Sequence, residues 1–273
     1  GQKHTISNFK IEASYNFAGF FSYLKDSAHI MNLKIKEATI SSSKNNVGGI
    51  AGTIIDGTIE KCSFAGSVTN TKSSGGYAGG IAGYIGNQKT TKPTVKECVN
   101  YGAISANYAG GITGYAKFAN AIDSCYNSGI ISGTTKTGGI VGQNMNEVQI
   151  TNCYNIGNVK GTSCGAISGF NGVTISNCYW TQPNDASGGG TGSNDDASQK
   201  ITSPTGLAAK LGNAFKDGAD GGYPILTWQT GSAPEPAKPG IRIESSSGSS
   251  IWTVAGGKNQ TSSTTLSVAY DNM

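Results

Sequence analysis

Ala109-Gly110-Gly111-Ile112-Thr113-Gly114, followed after a short spacer by Ile122-Asp123-Ser124-Cys125-Tyr126-Asn127-Ser128-Gly129, decides the fold of this chain, because both phrases recur along it. The glycine-pair opening is repeated at Val47–Gly52, Ala78–Gly83 and Thr137–Gly142. It returns in worn form at Cys164–Gly169, where Ala166 replaces the second glycine. The first glycine of the pair advances from 48 to 79, 110, 138 and 165, a period of 27–31 residues. Periods of this size mark stacked arrays whose units cover one another's apolar faces. The units are rich in Gly, Asn, Ser, Thr, Ile, Val and Tyr and lack apolar residues at helical spacing, which favours strands and turns. The expected fold is therefore all-β. It is a parallel β-helix of about six coils, right-handed by the usual crossover preference, each coil rising one strand spacing of about 4.8 Å.

The second phrase predicts which side chains point inward. Cys62, Cys98, Cys125, Cys153 and Cys178 recur in register, each preceded three residues earlier by Ile59, Val95, Ile122, Ile150 or Ile175. Val68, Ile104, Ile131 and Val159 follow the first four at a spacing of six. Stacked, these positions make aliphatic and thiol ladders inside the coil, and buried cysteine behaves as a small hydrophobe. Parallel side chains on adjacent coils disfavour the disulfide dihedral, so the ladder is expected to hold free thiols. On this reading Cys125→Ser costs about 1–3 kcal/mol, and Ala or Val less. Asn100, Asn127 and Asn155 stand two residues after their cysteines, and Gly66, Gly102, Gly129 and Gly157 four after. Both residue types tolerate positive φ, which places a corner here, with the asparagines hydrogen-bonded into a ladder. Tyr126, Tyr154 and Tyr179 directly follow cysteines and are predicted to face outward as an exposed aromatic stripe. Such a stripe is the candidate ligand-binding surface, for a sugar ring or a protein partner.

The Gly-Gly-Ile-x-Gly opening with the Cys-Tyr-Asn-x-Gly second phrase resembles the GLUG repeat of bacterial surface proteins, over about residues 47–180. That resemblance implies an extracellular setting, often adhesin-like, and sometimes accessory repeats of secreted proteases.

Composition narrows the remaining choices. Charged residues make up 13% of the 273-residue chain and glycines number 41, too little charge for a soluble helical protein. Enough Ile, Val and Tyr remain to exclude a disordered chain. The net charge of +4 comes with lysines scattered singly, so nucleic acid is not an expected partner. No run of apolar residues is long enough to span a membrane. Gly1 in place of Met reads as a cloning remnant, with a targeting segment removed. Neither Cys-x-x-Cys nor a Cys/His spacing occurs, and His4 and His29 are the only histidines, so no metal and no cofactor are expected. Glu60, Glu97 and Asp123 fall near one face just before their cysteines, where two carboxylates at glycosidase separation would also lie. No nucleophile elbow, zinc motif or phosphate loop accompanies them, and the simpler reading is a solvated edge.

Five segments follow. Residues 1–46 are a lead-in and first coil, in which Ile30, Leu33 and Ile40 take the places of Ile59, Cys62 and Val68, and Phe17, Phe20 and Phe21 close the core. Residues 47–200 are the repeats, with loop excursions at 70–77 and 85–94 and a polar loop without core residues at 181–200. Residues 201–230 are expected to cap the last coil. Ser203 and Pro204 open a helix there, Leu207, Leu211 and Phe215 form its apolar stripe, and Tyr223–Trp228 makes a strand. Residues 231–240 are a Pro-rich linker. Residues 241–273 resemble the first strands of a bacterial Ig-like module and are too short to complete it. The functional expectation is a non-catalytic, monomeric, extracellular or cell-surface module that binds a glycan or a host protein. The alternative is a polysaccharide lyase or hydrolase, or an accessory segment of a secreted hydrolase or protease.

Overall fold

A computed structural model describes residues 4–86, 92–119, 121–145, 148–170, 174–181 and 198–231, and the backbone of strands Ser187–Gly189, Arg242–Ser245, Ile251–Thr253 and Leu266–Ala269. The chain is a parallel β-solenoid of about six turns. Pairing starts at Phe17↔Asn46 and continues through Asn46↔Tyr77, Tyr77↔Tyr108, Tyr108↔Lys136 and Thr137↔Cys164, so successive coils begin near residues 17, 46, 77, 108, 136 and 163. One face is a six-stranded sheet whose strands stack strictly in coil order, from Ala28–Met31 to Ile175–Ser176. The initial strand Thr5–Ala13 pairs with Lys34–Ser42, ahead of the first coil.

The interior is built as columns. Ile30 stacks on Ile59, Ile59 on Val95, and the column continues through Ile122, Ile150 and Ile175. The isoleucines of the openings, Ile50, Ile81, Ile112, Ile140 and Ile167, form another buried column. Cys62, Cys98, Cys125, Cys153 and Cys178 are fully buried and unpaired in disulfides. Each thiol donates to the carbonyl two residues earlier, as Cys125 Sγ does to Asp123 O at 3.2 Å. Backbone N–H groups of the preceding coil donate to these sulfurs, Cys98 N to Cys125 Sγ and Cys125 N to Cys153 Sγ, both at 3.4 Å. The thiol is therefore both filler and hydrogen-bond partner.

The left-handed corner lies one residue before the cysteine, not two after it. Asn32, Lys61, Glu97, Ser124, Asn152 and Asn177 all have φ between 50° and 57°. By contrast Asn100, Asn127 and Asn155 are not in that region, and neither are Gly66, Gly102, Gly129 and Gly157. Those glycines serve close approach instead. A Cβ on Gly129 would sit 1.9 Å from the Gly102 carbonyl oxygen of the preceding coil.

Three further expectations change. Only residues 199–201 lie on the last coil, and the rest of the segment to residue 231 does not cover the end of the stack. It runs back along the flank, from Asn177 Nδ2 donating to Lys210 O at 2.8 Å in the sixth coil to Trp228 Nε1 donating to Glu97 O at 3.0 Å in the third. Its helix is only Leu207–Leu211, entered through Gly206 at φ 72°; Ser203 instead accepts the Thr205 N–H. Phe215 leaves the helix to pair with Leu226 in a short antiparallel ladder. Within 181–200, expected to be loop, Ser187–Gly189 pairs with the Gly165–Ser168 strand and Gln199–Lys200 with Tyr179–Trp180, so backbone pairing carries the stack part of a coil further. Residues 87–91 of the 85–94 excursion and 232–240 of the linker lie outside the described residues. The unit 238–273 is compact by itself, with Arg242–Ser245 paired antiparallel to Ile251–Thr253 and to Leu266–Ala269.

Candidate functional site

The tyrosines that follow the cysteines do point away from the solenoid core, but they are not an exposed stripe. Tyr126 and Tyr154 are fully buried and Tyr179 is 6% exposed. The flanking segment seals them in a second core with Leu207, Leu211, Phe215, Ile225 and Leu226. Tyr126 and Tyr154 stack on each other at 4.7 Å and 7°. Their hydroxyls are spent inside, Tyr126 donating to Gln229 Oε1 at 3.1 Å and Tyr154 to the Pro224 carbonyl. No surface is left on them for a ligand, because apolar rings raised one above another are covered by the nearest amphipathic segment of their own chain. Burial, first of all, holds both phenols well above the usual range.

The asparagine ladder is likewise interior. Asn100 Nδ2 donates to Asn127 Oδ1 at 2.7 Å, and Asn127 Nδ2 to Asn155 Oδ1 at 2.8 Å. Each carboxamide also bridges to the glycine two residues on, so every polar atom is used in place.

On the six-stranded face, Glu60, Lys96 and Asp123 stand in one column, with the cation between the two carboxylates. Lys96 Nζ lies 2.8 Å from Glu60 Oε2, and this bond is the chief reason Glu60 is held below the usual carboxylate range. Asp123 accepts from Thr151 Oγ1 at 2.6 Å, Asn152 Nδ2 at 2.8 Å and Ser124 Oγ at 3.0 Å. Glu97, in the adjoining corner column, is raised, first by burial. The arrangement is an alternating charge ladder with its carboxylates occupied, the pattern of a structural edge.

A different site emerges on the opposite side of the openings. Tyr77 and Tyr84 flank the second opening, and Tyr108 and Tyr115 flank the third. They form one half-buried cluster, with Tyr84 stacked on Tyr115 at 5.1 Å and 19°, and Tyr77 5.0 Å from Tyr108 and 4.9 Å from Tyr115. In the first coil, Phe17 and Tyr23 occupy the same two columns, 5.3 Å apart. Between them, in the second coil, the columns hold Asn46 and Thr53. These small residues leave a cleft of about 280 Å³, walled by Phe17, Tyr23, Tyr77 and Tyr84 and floored by the Asn46–Thr53 pair. Asn46 Nδ2 donates to Thr53 Oγ1 at 2.7 Å. Asn45 and Ile55 complete the lining, and none of the lining residues is charged. Burial raises the Tyr77 and Tyr115 phenols and pushes Tyr84 up to about 12, with the neighbouring phenols adding to the effect. The available signal in the sequence was the Tyr pair seven residues apart around two consecutive openings. The cleft itself is made by the absence of that pair one coil earlier.

Fold and repeat together define a parallel β-solenoid that carries the GLUG motif. The GLUG motif model matches residues 44–69, which form most of the second coil, including Asn46 and Thr53. Among solved structures, the chain is similar to a "putative immunoglobulin A1 protease" from Bacteroides ovatus, at 26% identity and a TM-score of 0.65, over 84% of this chain and 77% of that one. No curated protein sequence matches the chain.

Proposed function

We propose that the chain is a non-catalytic binding module of a secreted or surface-exposed bacterial protein, which presents the Phe17–Tyr84 cleft on the flank of a rigid solenoid. The observation that carries this reading is the cleft's chemistry. Aromatic walls over an amide and hydroxyl floor suit recognition, and they offer neither a nucleophile nor a proton donor in the usual catalytic range. The carboxylates on the other face are engaged by Lys96 and by hydroxyl and amide donors. The GLUG motif and the Bacteroides neighbour support a bacterial, secreted setting.

A second reading is favoured by the neighbour's name alone: the solenoid holds substrate for a protease that lies elsewhere in a longer chain. Glycan and protein binding, measured alongside turnover of polysaccharides and of immunoglobulin A1, separates the two. Saturable binding without product supports the binding module. Release of reducing ends, unsaturated ends or peptide fragments by this chain overturns it.

A further inference from the structure

We infer that the cleft is a missing rung in an aromatic stack, and that a single pyranose ring of a neutral oligosaccharide fills it. This rests on the binding-module reading and names its ligand class. Phe17 and Tyr77 share one column, and Tyr23 and Tyr84 the other, each pair two coils apart. Two strand spacings amount to about 9.6 Å, so a flat group at the vacant level lies one rung, about 4.8 Å, from each wall. The protein already uses that spacing: Tyr84 and Tyr115, on adjacent coils, stack at 5.1 Å.

The floor selects the ligand. A group in the vacancy must present apolar faces to the rings above and below and a polar edge to Asn46 and Thr53. A pyranose ring does so, its C–H faces meeting the electron-rich ring faces and its hydroxyls reaching the amide and hydroxyl. A Phe side chain satisfies the walls but strips water from the floor without replacing its hydrogen bonds, and a Trp indole returns only one donor and no acceptor, both of which are unfavourable. An uncharged lining gives no counter-ion to an acidic or basic sugar. Lys72 donates to Asn45 Oδ1 at 2.7 Å, which fixes that lining carboxamide.

The test fills the rung. Thr53→Tyr places a phenol in register with Tyr23, Tyr84 and Tyr115 and completes the column. Tyr84→Ala keeps the vacancy and removes one wall. Gluco-, galacto- and manno-oligosaccharides are titrated into the wild-type chain and both variants by saturation-transfer NMR and calorimetry, with Phe- and Trp-containing peptides in parallel. The expected result is neutral-oligosaccharide binding by wild type that weakens at least about tenfold in each variant, while the Thr53→Tyr melting temperature is unchanged or higher. Oligosaccharide binding that survives both substitutions overturns the slot and leaves the binding-module reading standing. Peptides bound in place of sugars, and lost in the variants, overturn the pyranose assignment alone. No binding of either probe overturns this inference, and polysaccharide cleavage overturns the binding-module reading with it.

Discussion

A Cβ added to Gly111 would lie 2.6 Å from Cγ of Asn127, so the first phrase of one repeat is cut to fit the second. The same holds at Gly80 against Asn100, at Gly139 against Asn155, and at Gly49 against the ring of Phe64, which takes the ladder position in the second coil. The second glycine of each opening is thus a socket for the ladder side chain across the interior. In the worn fifth opening, where Ala166 stands in place of that glycine, the ladder position is Trp180 and no asparagine follows.

Gly111→Ala is expected to destabilise by about 1–3 kcal/mol, and more if the coil cannot shift, because the new methyl meets the Gly139 carbonyl oxygen at 2.1 Å as well as Asn127. Urea unfolding checks this. A loss below about 0.5 kcal/mol, within the range of ordinary surface changes, contradicts the socket.

Cys125 carries two hydrogen bonds as well as volume, which reverses the ranking expected from burial alone. Ala or Val leaves the Cys98 N–H without its sulfur acceptor and should cost about 1–3 kcal/mol. Ser keeps the donor to Asp123 O and should cost no more than Ala. All five ladder thiols are fully buried, out of reach of a reagent in the native state, so maleimide should label the ladder only after denaturation. Rapid native labelling of several ladder cysteines contradicts the inward register.

Glu97→Asn should stabilise the protein by about 0.5–1 kcal/mol, since Asn tolerates the left-handed backbone far better than Glu. Its partner Lys61 is 3.9 Å away, at the outer limit of an ion pair, so little is lost with that contact. The substitution also alters the pH response. Glu97's folded pKa is raised, so its burden appears as pH rises through the carboxylate range; Glu60's is lowered, so its contribution is lost as pH falls through that range. In the variant, stability should rise more steeply between acid and neutral pH than in wild type. An unchanged slope assigns Glu97 no role.

Gln229 ties the flanking segment to the solenoid. It accepts from Tyr126 Oη and from Leu226 N, and donates to Tyr101 Oη at 2.5 Å. Gln229→Ala leaves the Tyr101 and Tyr126 hydroxyls only each other, at 2.8 Å, and the buried Leu226 N–H without its acceptor, and should cost about 1–3 kcal/mol, with faster hydrogen exchange over 201–231 and at Tyr126 and Tyr154. If exchange speeds up uniformly along the whole chain, the segment is not a separable buttress.

The phenols give an alkaline limit. Tyr84 is pushed up to about 12, and burial raises Tyr77, Tyr115, Tyr126 and Tyr154 as well. Unfolded tyrosine ionises near pH 10, so above that pH the unfolded chain has released protons that the native one retains, and stability falls as pH rises. Absorbance at the phenolate band should appear together with unfolding. A native protein that ionises most of its tyrosines near pH 10 contradicts the two aromatic clusters.

What the sequence by itself determined is everything that repeats. A recurring Gly-Gly-Ile and Ile-x-x-Cys specify coil length, register and the inward columns, because stacking places like residues on like and each match is reinforced by its neighbours. Where the chain departs from the repeat, tertiary structure decided. The left-handed corner fell on six different positions occupied by Asn, Lys, Glu and Ser, types too mixed to announce a shared φ. The tyrosines after the cysteines were legible as outward-facing but not as buried, since that depended on a segment returning from beyond residue 200 to lie along four coils. The aromatic cleft needed Phe17, Asn46 and Tyr77 brought to consecutive levels, and its defining feature is two small residues where neighbouring coils carry rings. A gap of that kind has no residue of its own to read, and it exists only once the coils are stacked.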